Sequence, residues 1–128
     1  MITVTMEQII AFRNNGNFFG DISIPLKGAY KLNKIRKAVE KEEEFYSEKF
    51  QEIVNTYAKK DENGNLAFNE GGDQILIQED KIEECNEALV DLQNLTVQIE
   101  NYGLTIEDLG DELECTPDEL EALMPFME

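Results

Sequence analysis

Histidine and tryptophan are missing from this chain, and its 128 residues include only two cysteines and three prolines. Without histidine, Ser–His and Cys–His nucleophile pairs are excluded, as are zinc sites of the usual Cys/His kind. Cys85 and Cys115 lie far apart with no CxxC spacing, which predicts free thiols in a reducing cytoplasm and no disulfide framework. No apolar run approaches the roughly 18–20 residues that a membrane span needs, and no basic-then-apolar leader is visible. The expectation is a protein without membrane contact that stays in the compartment where it is made. Basic residues almost vanish after residue 60. Residues 1–60 hold ten Lys/Arg and eight Asp/Glu, whereas residues 61–128 hold one basic residue, Lys81, and twenty acidic ones. With a total charge of −17, that half would repel a phosphate backbone, so direct nucleic-acid binding is not expected.

What the chain does have is a long amphipathic stretch. Leu32, Ile35, Val39, Tyr46, Phe50, Ile53 and Tyr57 recur at helical spacing, interrupted only at Glu42 and Glu43. Lys34, Lys37, Lys41, Glu44, Glu48 and Glu52 occupy the opposite face, and no Gly or Pro occurs from Ala29 to Lys60. This predicts one helix over residues 26–60, roughly thirty residues where about a dozen is average. Such a helix needs a partner helix for its stripe, from the same chain or a second subunit.

The remaining segments fit around it. Residues 1–25 read as a strand at Ile2 to Thr5, then a short helix opened by the Thr5/Gln8 capping-box spacing, with Ile9, Ile10 and Phe12 inward. Phe18, Phe19 and Gly20 read as an apolar connector. Residues 61–78 read as a β-hairpin tip centred on 69–74, flanked by Leu66 and Phe68 and by Ile75 to Ile77. Residues 79–94 read as a second, antiparallel helix with Ile82, Cys85, Leu89 and Leu92 inward, its acidic start beside Lys49, Lys59 and Lys60. Residues 95–128 read as a strand at Leu95 to Ile99 pairing with residues 2–5, a capped turn at Thr105/Asp108 with Ile106 and Leu109 inward, and an acidic helix. Thr116, Pro117 and Glu119 open that helix, and Leu120, Leu123 and Met124 form its apolar face. The acidic end is expected to meet Lys27, Lys31, Lys34 or Lys37. The fold class is therefore α+β, mainly α, in one domain: a long helix, a β-hairpin tip, a shorter antiparallel helix and a small base of strand and short helices.

Sites for chemistry are few. Asp61, Asn63 and Asn65 match the first positions of a calcium loop. Leu66 and Gly72 stand where the sharp-turn glycine and the bidentate glutamate belong, so these residues read as turn chemistry. Glu83, Glu84 and Glu87 would hold a metal only if a second subunit supplied more oxygens, and solvated helix faces look the same. Gly71 and Gly72 form no phosphate loop, and the carboxylates stand in solvated runs, not in apolar pockets. The reading is a non-enzyme without cofactor or metal. Its candidate partner-binding face is Glu79, Asp80, Glu83, Glu84, Glu87 and Asp91. Phe45, Tyr46 and Phe50 are the candidate self-association residues, predicting a homo-oligomer.

Ala29-Tyr30-Lys31-Leu32, Tyr57 with Lys60-Asp61-Glu62-Asn63-Gly64-Asn65, and Leu109-Gly110-Asp111-Glu112-Leu113-Glu114 together resemble a family of small phage and prophage proteins of Gram-positive bacteria. The resemblance covers roughly residues 26–125 and rests on turn and cap residues; residues 1–25 fit it poorly. It carries no activity or site residues. It implies a phage or prophage protein made in the bacterial host cytoplasm, or carried in the virion. The expected function is a non-catalytic protein–protein interaction, either inhibiting or redirecting a host factor or serving as a structural or assembly component of the virion. On the first reading the acidic half faces a basic groove, in one version by imitating nucleic acid.

Overall fold

The structure, a computed structural model, describes all 128 residues. It is α+β and mainly helical. A two-stranded antiparallel sheet pairs β1 (Ile2–Thr5) with β2 (Thr96–Ile99), and the helices are α1 (Met6–Asn14), α2 (Gly16–Asp21), α3 (Leu26–Tyr57), α4 (Ile82–Asn94) and α5 (Pro117–Leu123). No helix is long and apolar enough to cross a membrane. Two compact units emerge, Met1–Glu44 with Asn94–Glu128, and Phe45–Gln93, and α3 contributes to both.

In the first unit the sheet register places Ile2 opposite Ile99 and Val4 opposite Val97. Val4 and Ile99 are buried, while Thr3 and Gln98 face water, the alternation that a one-sided strand pair requires. Thr5 then caps α1. Its Oγ1 accepts from the Gln8 amide (3.2 Å), and the Gln8 Oε1 accepts from the Thr5 amide (2.9 Å). The Met6 amide, left free by the helix start, donates to the Leu95 carbonyl at 2.9 Å and ties α1 to the chain entering β2. Met6, Ile9 and Phe12 are the buried residues of α1, and Ile10 is only half-buried. The expected connector is instead the short helix α2, which delivers Phe19 to the core. The Phe12 ring stacks on Phe19 at 4.4 Å and meets the Phe126 ring edge-on at 5.0 Å. Phe126 is fully buried, and it lies in a 3-10 turn (Met124–Phe126) that continues past α5.

Residues 26–44 of α3 bury Leu32, Ile35 and Val39 in this core. Arg13 of α1 pairs with Glu43 at 3.2 Å, so the break in the apolar stripe holds an ion pair between helices. Both ends are partly exposed, and such a pair adds little stability.

The turn of residues 105–110 docks against the first turns of α3. Thr105 and Asp108 cap each other, the Asp108 Oδ2 accepting from the Thr105 amide (3.1 Å) and the Thr105 Oγ1 from the Asp108 amide (3.3 Å). Lys31 Nζ donates to the same Oδ2 at 2.7 Å and to the Gly103 carbonyl at 2.8 Å. The Lys31 hydrogen bond, then the Thr105 amide, hold the Asp108 carboxyl at about 2, below its ordinary 3.8. A carboxyl depressed by folding contributes stability that is complete above about pH 4, declines as pH falls toward 2 and is lost below it. Of the four lysines expected to meet the acidic end, Lys31 alone forms an ion pair there, and its partner is this turn, not α5. Leu109 is buried as expected. Ile106, expected inward, is 71% exposed. Two glycines permit the approach: a Cβ on Gly28 would overlap the Asp108 carbonyl oxygen, and Gly110 adopts φ +81° with Pro25 Cδ 3.0 Å from where its Cβ would lie.

In the second unit, residues 45–57 of α3 bury Val54 and half-bury Tyr46, Ile53 and Tyr57. Phe50 stays 38% exposed, although it stands one and two turns ahead of the buried Val54 and Ala58 on the same face. The helix stops at Tyr57, three residues before the expected end. The Lys59 amide donates to Leu76 O (2.8 Å), the Leu76 amide to Ala67 O (2.9 Å), and the Ala67 amide to Lys59 O (2.9 Å). This closed three-way ring joins the end of α3 to the expected hairpin, whose arms pair about residues 69–74 (Asn69 amide to Gln74 O, 2.9 Å) without forming continuous strands. Phe68 and Ile75 do pair antiparallel across the 69–74 turn, but as a single bridge, alongside single bridges Ala58↔Ile77 and Lys60↔Leu66. The end of α3 competes for the same backbone groups, so no strand propagates. Asp61 Oδ1 accepts from the amides of Asn63 and Asn65 (both 2.9 Å), and Gly64 takes φ +80°. That is the Asx-turn chemistry expected for this sequence.

Replacing Gly28 by Ala tests the docking. Helix propensity alone favours alanine by about 1 kcal/mol. Overlap with a backbone oxygen, which cannot rotate away, should reverse the sign and destabilise the protein by about 1–3 kcal/mol in urea denaturation. A raised midpoint would show that the turn does not press on α3.

Candidate functional site

The second unit carries the candidate face. Glu79 and Asp80 lie in a 3-10 turn (Glu79–Lys81), held to the end of α3 by Gln78, whose amide donates to Tyr57 O at 3.0 Å. Glu83, Glu84, Glu87 and Asp91 follow on α4. Cys85 and Leu92 are the buried residues of this helix, and all six carboxylates are exposed on its other side.

Their spacing makes two parallel rows. Glu79, Glu83, Glu87 and Asp91 recur every four residues, and Ile82, Asn86 and Val90 form the adjacent row. Ile82 is 47% and Val90 51% exposed, so an apolar strip runs beside an acidic one. Together these seven residues form one open surface with no Lys or Arg in it. Asp80 and Glu84 lie outside it. Glu84 is paired with Lys81 at 3.6 Å on the exposed surface.

Helix energetics does not account for the row. Glu79, Glu83 and Glu84 sit near the positive end of the dipole, where carboxylates are favoured. Glu87 and Asp91 lie beyond its reach, and like charges four apart are mutually unfavourable. Lys49, Lys59 and Lys60, expected beside the start of this helix, do not neutralise it. Lys49 pairs with Glu52 of its own helix at 3.2 Å, and neither Lys59 nor Lys60 forms an ion pair.

Phe45, Tyr46 and Phe50 form a second feature on α3. Phe45 and Phe50 are 39% and 38% exposed, Tyr46 is half-buried, and the Tyr46 and Phe50 rings stack at 6.0 Å. Lys49 Nζ stands 5.7 Å from the Phe45 centroid and partly covers that ring. The two thiols are free, Cys85 buried and Cys115 exposed, and neither joins these features.

One surface escaped the sequence reading: the groove between α1 and α5, lined by Glu7, Ala11, Asp118 and Glu121 among others. Its only sequence signal is the pair of capping boxes at Thr5 and Thr116, which open two short helices with acidic exposed positions.

No protein-family model, curated protein or solved structure matches the chain.

Glu87 has like-charged neighbours at Glu83, Glu84 and Asp91. Its replacement by Gln, which has equal helix propensity, should stabilise the protein by about 0.5 kcal/mol. A urea midpoint that falls would mean that the carboxylate supports the fold and is not a surplus charge on a binding face.

Proposed function

We propose that the chain is a non-catalytic interaction protein whose α4 face binds a basic protein surface. The observation that carries this reading is the unneutralised row Glu79, Glu83, Glu87 and Asp91 beside the exposed Ile82 and Val90. Such a face suits a partner with Lys or Arg set around an apolar strip, the charges steering encounter and the apolar strip holding the complex. The sequence resemblance to small phage proteins supports a setting in the bacterial host cytoplasm, where the partner is a host factor that this protein inhibits or redirects.

A second reading rests on Phe45 and Phe50, each more than a third exposed on a long helix. A component of the virion or of its assembly would use them to pack against identical subunits or other phage structural proteins.

The test is a tagged capture from producing bacterial cells with nuclease present, repeated with the triple variant Glu83→Lys, Glu84→Lys, Glu87→Lys. On the inhibitor reading one host protein that handles nucleic acid is recovered. The triple variant, with an unchanged circular dichroism spectrum, loses it by more than about tenfold in Kd. Capture unaffected by the reversal would sink the acidic-face reading. Recovery of only the chain itself and phage structural proteins, abolished by Phe45→Glu, would favour assembly.

A further inference from the structure

The first unit carries two exposed surfaces of opposite character. One is a ridge at the start of α3. Leu26, Tyr30 and Lys34 follow one another at four-residue spacing, so they stand in line about 6 Å apart along the helix. Leu26 is 87% and Tyr30 64% exposed, large apolar side chains left in water on a helix that buries Leu32 and Ile35 nearby. Lys34 Nζ lies 5.2 Å from the Tyr30 centroid, and neither Lys34 nor the adjacent Lys27 has a carboxylate partner. The ridge is apolar and basic.

The other surface is the groove of about 710 Å³ between α1 and α5. Ala11 and Ala122 keep its floor low, and the exposed Met124 adds an apolar wall. Glu7, Asp118 and Glu121 are the charged residues lining it, none is in an ion pair, and no Lys or Arg is among the lining residues. The groove is apolar and acidic. Its size is within the range that takes a pair of large side chains.

We propose that copies of this chain associate head to tail, the ridge of Leu26, Tyr30 and Lys34 on one copy seating in the α1/α5 groove of the next. The occupant is identified by complementarity: the ridge supplies what the groove lacks, cations and bulky apolar groups, and it is always present at equal concentration. Within one copy both surfaces remain exposed, so the ridge does not fill its own groove. Because the two surfaces differ, the contact is heterologous and builds rings or chains, not a two-fold dimer. It is independent of the α4 face and of Phe45, and it goes beyond both readings above.

The experiment is sedimentation velocity of the full chain from about 10 μM to about 1 mM, the range a small interface demands. Wild type should rise above its 14.7 kDa chain mass with concentration. Tyr30→Glu removes the ridge, and Glu7→Lys with Glu121→Lys reverses both groove walls. All three positions are on the surface, and circular dichroism checks the fold. Each variant alone should stay at 14.7 kDa, whereas an equimolar mixture should form a 1:1 complex and grow no further, since each contributes one intact half. A wild type that stays monomeric to 1 mM, variants that associate as wild type does, or a mixture that stays monomeric would each overturn the proposal.

Discussion

Gly28 is the point on which the first unit turns. With no side chain there, the backbone at Asp108 lies directly against α3, and Lys31, about one helical turn further on, closes over the Asp108 carboxylate at 2.7 Å. Three consequences follow from this one approach. The segment after β2 is fixed across the start of α3, and Leu104 and Leu109 on it are buried. The C-terminus is drawn in, since the Glu128 amide donates to the Leu104 carbonyl at 2.8 Å. The strongly acidic second half also gains an ion pair that is mostly shielded from water, where screening by salt is weak.

Local chemistry was legible in the sequence, and long-range packing much less so. The boxes at Thr5, Thr105 and Thr116 all form as their spacing implies, because a cap depends on three or four neighbouring residues. The pairing of residues 2–5 with the segment around Val97 was readable from alternation. The stripe of α3 held for Leu32, Ile35 and Val39, whose burial is set by helical period. It failed at Phe50, because what covers a position depends on elements distant in sequence. Phe126 escaped for the same reason: it completes an aromatic cluster whose centre, Phe12, lies at the other end of the chain. Gly28 gave no signal, since a glycine near a helix start has many uses. The three-way ring at Lys59, Ala67 and Leu76 was hidden because period and turn residues suggest two strands, not a third competitor.

The candidate sites divide in the same way. Spacing alone gathers the carboxylates of residues 79–91 near the start of one helix; the structure leaves all six exposed, Glu79 and Asp80 in the 3-10 turn ahead of α4 and the other four on it. The separation of the row Glu79, Glu83, Glu87 and Asp91 from the outlying pair Asp80 and Glu84 needed coordinates. The α1/α5 groove was invisible, because it exists only where two helices more than a hundred residues apart meet. A −17 chain can thus carry distinct acidic surfaces, one beside Ile82 and Val90 and one beside Ala11 and Met124.

The docking of the 105–110 turn is tested most directly by titrating the Asp108 carboxyl carbon by NMR in the wild type and in Lys31→Met. The docked turn predicts a midpoint at about 2 in the wild type, and in the variant a rise toward the ordinary 3.8. A wild-type midpoint near 3.8, unchanged by the loss of Lys31, would contradict it and leave the start of α3 without its lock.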